Sequence, residues 1–157
     1  MKILGIDQSY NSCAWVIAEG ASVSKFGVFK SDKTQGVYDR SLFIAQSISQ
    51  LVKDQSITHL NIEGLAFAMR GDSTRDLAGL LFSIMIILKI DHPTLYRREI
   101  APTSLKKFAT GSGKSDKNQM IEALPVDIKQ QFVDSGYKKT TGLTDLTDAY
   151  WLSQYTL

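Results

Sequence analysis

The 157-residue chain is poor in the residues that form disulfides or bind soft metals. It has one cysteine, Cys13, and only two histidines, His59 and His92. A single cysteine permits no internal disulfide and is typical of a reducing compartment, and without a His/Cys cluster the sequence offers no zinc site. Cys13 lies in a strand-like run, so we expect it to pack in the core rather than act as a nucleophile.

The sequence also lacks a long hydrophobic run. The longest apolar stretch, Leu77 to Leu88, is interrupted by a glycine and a serine and is too short to span a bilayer, so a buried helix is predicted. Four residues between Lys2 and Asp7 leave no room for the apolar core of a signal peptide. The length and the 43% hydrophobic content suit a single globular domain over residues 1–157.

Strong net charge is missing as well, but the charge of +2 is unevenly placed. Residues 97–139 carry nine Lys/Arg against five Asp/Glu, whereas residues 140–157 carry two Asp and no base. A basic segment followed by an acidic one suits an anionic polymer held near a metal site. A solvated, lysine-rich surface explains the same composition equally well.

Hydrophobic periodicity predicts an α/β fold whose five-stranded mixed sheet has helices on both faces. An antiparallel meander of three strands, with a hairpin turn at Gly20, precedes two parallel strands that alternate with helices. Predicted strands cover residues 2–7, 13–18, 23–29, 58–63 and 95–98. Predicted helices cover residues 36–54, 73–90, a segment that starts at Pro102, 115–124 and 144–155, and residues 125–143 are predicted to be a loop with a short helix near 128–132.

Four acids lie at the ends of predicted elements. Asp7 and Glu63 each end an apolar strand, and Asp145 and Asp148 open the last helix on one of its faces. Carboxylates buried beside a sheet cost several kcal/mol unless something pairs with them, and binding sites gather at the carboxyl ends of parallel strands. We therefore expect the four acids to share a divalent cation, with at least one raised pKa in its absence.

Each acid also has an ordinary explanation. Asp145 and Asp148 complement the dipole of a helix that Thr144 is predicted to cap, and Asp7 ends a strand before a turn. The joint occurrence with Glu63 favours the metal site. Ligands that are all oxygen select Mg²⁺ or Mn²⁺, and a pair of such ions activates water and stabilises the departing oxygen of a phosphodiester.

A segment from Pro102 to Lys117 combines lysines, glycines and a helix N-terminus, which together suit phosphate groups. Its candidate DNA-binding residues are Lys106, Lys107, Lys114 and Lys117, of which Lys117 or the nearby Lys114 is also a candidate for stabilising developing charge. Gly111–Ser115 faintly resembles a P-loop, but Phe108 occupies the position of its first glycine. We therefore expect no nucleotide cofactor.

The loop after Glu63 supplies three further candidates for DNA contact. Phe67 is suited to stacking on an unpaired base, and Arg70 and Arg75 are suited to contacting phosphates. An alternative interpretation is that Phe67 packs under the next helix and that both arginines are simply solvated.

Several motifs together identify a family. They are Ile3-Leu4-Gly5-Ile6-Asp7 with Ser9, Ile62-Glu63, Pro102 with Lys106, Gly111-x-Gly113 with Lys117 and Gln119, and Asp145-x-x-Asp148-Ala149. At these residues the chain resembles the RuvC-type Holliday junction resolvases of the RNase H-like superfamily. The resemblance implies a homodimer that cuts two opposed strands of a four-way DNA junction with Mg²⁺ or Mn²⁺ and leaves 5′-phosphates. It places the metal-binding acids on Asp7, Glu63, Asp145 and Asp148, and the phosphate-contacting bases on Lys106 and Lys117.

The chain departs from the family pattern at two positions. Gln8 stands where the family often has proline, and Ala66 stands where bacterial members have an aromatic residue, with Phe67 one position later. These departures bear on junction opening and on base-sequence preference. The compact form looks like a bacteriophage version, which implies a wider range of branched DNA and a location in the cytoplasm of the host.

Three functions are compatible with these features. The first is a metal-dependent endonuclease for four-way junctions or, more broadly, for branched and flap DNA. The second is a junction-binding protein without catalysis, which has no need of four carboxylates beside DNA phosphates. The third, an ATPase of related fold, requires a second domain for which 157 residues leave no room. The helix near residues 77–90 is a candidate dimer surface, although it could equally be part of the core.

Overall fold

The structure, a computed structural model, describes residues 1–65 and 71–156. The strands are β1 (Lys2–Asp7), β2 (Cys13–Glu19), β3 (Ser22–Phe29), β4 (His59–Glu63) and β5 (Tyr96–Ile100). The helices are α1 (Val37–Asp54), α2 (Asp72–Asp91), α3 (Pro102–Thr110), α4 (Lys117–Glu122), α5 (Val126–Asp134) and α6 (Leu143–Gln154).

All five strands pair in one mixed sheet in the order β3-β2-β1-β4-β5. β1, β2 and β3 form an antiparallel meander, whereas β4 runs parallel to β1 and β5 runs parallel to β4. The turn between β2 and β3 contains Gly20, whose φ of 60° favours glycine. The predicted fold class is confirmed, including the meander and the two parallel strands.

Helices cover both faces of this sheet, as predicted. Alternate residues of the two central strands point to opposite faces: Leu4 and Ile6 on β1, with Leu60 and Ile62 on β4, pack against the buried residues of α1 and α2. The opposite face is covered by α4, α5 and α6. Cys13 is buried in the first of these cores, in agreement with the packing role expected for it.

Of two helix predictions near the C-terminus, one is confirmed and one is wrong. The short helix predicted near residues 128–132 is present as the nine-residue α5, because Ile128 and Phe132, one turn apart, both reach the core. Thr144 does not cap α6, because Gly142, with a left-handed φ of 99°, starts the helix earlier and leaves Thr144 inside its first turn.

The predicted buried helix is only half buried. α2 packs one face against the core through residues that include Leu80, Ile84 and Leu88, but it exposes Phe82, Ile86 and Ile90 on the other face. The difference arises because the sheet and α1 contact only one side of α2. No helix in the described part of the chain is long and apolar enough to cross a membrane.

Candidate active site

Two acids lie side by side at the carboxyl edge of the sheet. The last paired residues of the parallel strands β1 and β4 are Ile6 and Ile62, so Asp7 and Glu63 follow one position later on neighbouring strands. Because side chains alternate along a strand and the two isoleucines face α1 and α2, both acids face α6. The convergence of Asp7 and Glu63 expected from the sequence is confirmed.

Gly5 allows α6 to lie directly on β1. A β-carbon at this position would collide with the backbone oxygen of Ala149 and the backbone nitrogen of Ser153. Asn61 of β4 secures the same helix by donating from Nδ2 to the carbonyl oxygen of Leu152, 2.8 Å away. The close packing holds the N-terminal turns of α6 beside the end of β1.

Those N-terminal turns carry the other two acids. Asp145 and Asp148 are half-buried and, being three residues apart, project from the same side of the helix. The hydroxyl of Ser12 donates to Oδ2 of Asp145 at 2.7 Å and ties this acid to the loop that follows β1. The positive end of the helix dipole also lies near the acids and partly offsets their charge.

All four acids line one cavity of about 290 Å³. Gln8 lines it as well, and the cations among its lining residues are Lys106, from α3, and Lys117, the first residue of α4. The structure therefore brings together five predicted catalytic residues: Asp7, Glu63, Asp145, Asp148 and Lys117.

Three of the carboxylates are difficult to ionise in this cavity. Burial, followed by repulsion from Glu63, Asp148 and Asp145, raises the pKa of Asp7 well above its ordinary value, and Lys117 only partly opposes the change. Burial and repulsion from Asp148 raise the pKa of Glu63 to about 7. Burial, with repulsion from Asp145, raises the pKa of Asp148 to about 6. The expectation of at least one raised pKa is confirmed.

This donor set fits a hard divalent cation. The cavity presents carboxylates and one amide, with neither histidine nor cysteine among its lining residues. Burial raises the pKa of the Cys13 thiol to about 12, which removes it as a ligand or nucleophile. Within the described ranges, no three Asp, Glu, His or Cys side chains already form a coordination group.

The other predicted DNA-binding residues are more scattered. Lys107 and Lys114 are exposed and lie outside the cavity lining. Arg75 is exposed too and forms ion pairs with Asp72, at 3.4 Å, and with Asp76, at 3.2 Å. Phe67 and Arg70 lie outside the described residues.

Sequence reasoning missed three contributors to the site. Gly5 was only part of a motif, although a glycine inside a buried strand is itself a signal of close backbone approach. Gln8 stands out in the sequence only as a departure from the family pattern. Ser12 gave no signal, because its contact with Asp145 joins residues 133 positions apart.

The chain has the architecture of an RNase H-like domain with a nuclease-type carboxylate site. Its defining features are a central parallel strand pair, an antiparallel meander and acids on β1, β4 and α6. The family model for crossover junction endodeoxyribonuclease RuvC matches residues 3–131. The chain belongs to the RuvC family, and both the predicted family and the predicted enzyme class are confirmed. The matched segment contains Asp7 and Glu63, while Asp145 and Asp148 lie beyond it and join the site through the geometry of α6.

Bacterial proteins of this family align with most of the chain. The crossover junction endodeoxyribonuclease RuvC of Sulfurovum sp. is 30% identical over 153 residues, which cover 95% of this chain and 90% of that protein. The RuvC of Rickettsia conorii is 26% identical over 128 residues, which cover 79% of this chain and 80% of the relative.

Solved structures of resolvases share the fold. Thermus thermophilus RuvC in complex with a Holliday junction substrate matches with a TM-score of 0.74 at 15% identity, covering 98% of this chain and 91% of that one. The yeast mitochondrial Holliday junction resolvase matches with a TM-score of 0.71 at 11% identity, covering 97% and 75%. At such low identities the likeness establishes the fold.

Proposed function

We propose that this chain is a divalent-metal-dependent endonuclease that resolves four-way DNA junctions by cutting two opposed strands and leaving 5′-phosphates. The observation that carries the proposal is the convergence of four carboxylates and two lysines on one cavity at the carboxyl edge of the sheet. Membership of the RuvC family supports the choice of substrate. The polypeptide acts as one nuclease domain over residues 1–157, and its expected location is the cytoplasm.

Asp7, Glu63, Asp145 and Asp148 hold Mg²⁺ or Mn²⁺, as a pair of ions. Bound there, the ions supply an activated water and neutralise charge on the departing oxygen. The protein's own contribution is to place the acids on rigid elements, two strand ends and one helix, and to keep their carboxylates close despite their repulsion.

Lys106 and Lys117 have different roles in this proposal. Both lie near enough to Glu63 and Asp148 to lower the pKa of each acid against the effect of burial. Lys117 also acts on Asp7, at the centre of the carboxylate cluster, and it stabilises charge that develops on the scissile phosphate. Lys106 binds DNA phosphate, together with the exposed Lys107 and Lys114. Phe67, Arg70 and Arg75 complete the proposed DNA surface.

The second copy in the dimer packs on the exposed face of α2. Phe82, Ile86 and Ile90, spaced four residues apart, are 64%, 57% and 70% exposed and form one apolar stripe. Tyr38 of α1, 88% exposed, extends this surface across the groove between the two helices. A two-fold interface of this kind lets a homodimer present two active sites to the two opposed strands.

A cleavage assay with a synthetic four-way junction tests the activity. Wild-type protein in Mg²⁺ or Mn²⁺ should cut the junction, and end-labelled product should carry a 5′-phosphate. Asp7→Asn should abolish cutting, whereas Asp127→Asn, which alters an exposed acid in the first turn of α5, should not. Undiminished cutting by Asp7→Asn would overturn the proposal.

The same assay separates the alternatives when flap and linear duplex DNA are included. Equal cutting of junction and flap indicates a broader branched-DNA endonuclease. Junction binding in EDTA with no cutting in Mn²⁺ indicates a binding protein without catalysis.

A further inference from the structure

One amide oxygen of a residue that lines the active-site cavity has no partner. Gln8 follows Asp7 at the end of β1, is only 8% exposed, and lines the cavity with the four acids. Its side-chain oxygen Oε1 is fully buried and accepts no hydrogen bond from the described residues. Since an unpaired buried acceptor destabilises the folded protein, an atom of this kind requires a functional explanation.

The hydrogen bond of the other amide atom fixes the orientation of the group. Nε2 of Gln8 donates to the backbone oxygen of Glu63 at 3.3 Å. Rotating the amide by half a turn would place two acceptor oxygens against each other, so the nitrogen belongs on β4 and the oxygen remains the free acceptor. The amide therefore bridges the two strands that carry Asp7 and Glu63.

Neither the DNA backbone nor the acids can supply the missing partner, because phosphate oxygens and ionised carboxylates only accept hydrogen bonds. A divalent cation can, either directly or through a bound water. The two lysines of the cavity are drawn toward the acids, as their effect on the pKa values of Glu63 and Asp148 indicates. Neither lysine donates to Gln8 within the part of the chain that the structure describes.

We propose that Gln8 is an additional oxygen donor toward the divalent cation of this site, a role that rests on the proposed metal-dependent function. An amide oxygen is a hard donor, and because it is neutral it adds a ligand atom without adding to the repulsion among the carboxylates. Its nitrogen is already tied to Glu63, so the oxygen is oriented before a cation arrives. Whether it reaches the ion directly or through a bound water, the oxygen gains the partner that it lacks.

The test measures Mn²⁺ binding by isothermal titration calorimetry, without DNA, to wild type and Gln8→Met. Methionine keeps the length of the side chain and removes both polar atoms. The affinity should fall about 10-fold or more, while the melting temperature in EDTA stays equal or rises, since removal of the unpaired acceptor offsets the lost hydrogen bond. Gln8→Glu keeps an oxygen and should restore Mn²⁺ affinity at pH 8, with a lower melting temperature in EDTA.

Gln154→Met is the matched control. Gln154 also has a buried amide atom without a partner, Nε2, but it does not belong to the cavity lining. Its substitution should leave Mn²⁺ affinity at the wild-type value. Unchanged Mn²⁺ affinity in Gln8→Met, with or without a fall in melting temperature, overturns the inference about Gln8 and leaves the nuclease function standing. A wild-type protein that binds Mn²⁺ and cuts no junction overturns the nuclease function instead.

Discussion

The two ends of the central strand pair, β1 and β4, are built on opposite principles. At the amino end, polar groups satisfy one another: Lys2 donates to the carbonyl oxygen of Gln55 at 3.0 Å and pairs with Glu19 at 3.4 Å, and Thr58 donates to the carbonyl oxygen of Lys2 at 3.1 Å. That end needs no ligand and contributes only to stability.

The carboxyl end leaves its polar groups unsatisfied. No hydrogen bond or ion pair from the described residues reaches the carboxylates of Asp7, Glu63 or Asp148, and the pKa values of all three are raised, first by burial. Folding therefore holds these acids in a place where ionisation is unfavourable until a cation binds. The contrast shows that stability is sacrificed at one end of the strands, which is where function is expected.

The largest effect is expected from Gly5→Ala, because it disrupts the close packing of α6 on β1 that holds Asp145 and Asp148 at the carboxyl end. The new β-carbon would meet the backbone of α6, which cannot yield as a flexible side chain can, so the helix must move away from β1. Overpacking of this kind costs roughly 1–3 kcal/mol of unfolding free energy, and misplacing Asp145 and Asp148 by about 1 Å costs about 100-fold in cleavage rate.

Urea unfolding and junction cleavage check this prediction. Gly36→Ala is the control, since a β-carbon there has open space around it and Gly36 lies before α1, away from the cavity. Wild-type cleavage by Gly5→Ala would show that α6 need not lie directly on β1.

The next effect in size is the pH dependence of stability without metal. The pKa of Glu63 is raised in the folded protein from 4.5 to about 7, so the folded state binds this proton more tightly than the unfolded state. Stability should therefore be highest below about pH 4.5, fall as the pH rises to about 7, and be lower by at most about 3 kcal/mol above it. Glu63→Gln should remove this loss.

The difference in unfolding free energy between Glu63→Gln and wild type, measured in EDTA from pH 4 to 8, isolates the effect. Saturating Mn²⁺ should reverse the trend, because the ion binds the deprotonated acids. Glu122→Gln, at an exposed acid that pairs with Lys129, should show no such rise with pH. A constant difference between Glu63→Gln and wild type across this range would contradict the prediction that ionisation of Glu63 destabilises the folded protein.

A smaller effect is expected for the lysines of the cavity. Lys117→Ala should slow cleavage about 10-fold at saturating DNA, because an exposed cation is partly screened by water. Lys106→Ala should mainly weaken junction binding and lower the slope of log affinity against log salt by about 1. Single-turnover rates measure the role in the chemical step, and junction binding in Ca²⁺ at several salt concentrations measures the role in binding. Lys107→Ala, which removes an exposed lysine outside the cavity, is the comparison for both measurements. Equal losses of rate and affinity in Lys117→Ala would count against a role in the chemical step.

The sequence predicted the carboxyl end well because its signals are local. An acid directly after an apolar strand marks Asp7 and Glu63, and parallel pairing of β1 and β4 follows from the alternation of strands and helices. The two acids near the start of α6 were equally visible, but the start of that helix was misplaced because it depends on the left-handed backbone of Gly142 rather than on the capping preference of Thr144.

Features that depend on distant contacts could not be predicted in this way. The partner of Ser12 is 133 residues away, and the unpaired oxygen of Gln8 becomes apparent only once β4 lies beside it and occupies its nitrogen. The exposed stripe on α2 has the same apolar composition as the buried face of that helix. The two faces can be told apart only because α1 and the sheet pack against one of them.

The smallest effects come from deleting one hydroxyl at each end of the strands. Thr58→Val removes hydrogen bonds with Lys2 at the amino end and should cost about 1 kcal/mol or less of unfolding free energy, with wild-type cleavage. Ser12→Ala removes the 2.7 Å bond to Asp145 and should lower cleavage several-fold with little loss of stability, since the freed carboxylate only loses its orientation. Unfolding in urea and cleavage in limiting Mn²⁺ measure both quantities for both variants. If Thr58→Val slowed cleavage as much as Ser12→Ala does, the two ends would be coupled through the sheet, and the division between a stabilising end and a functional end would be wrong.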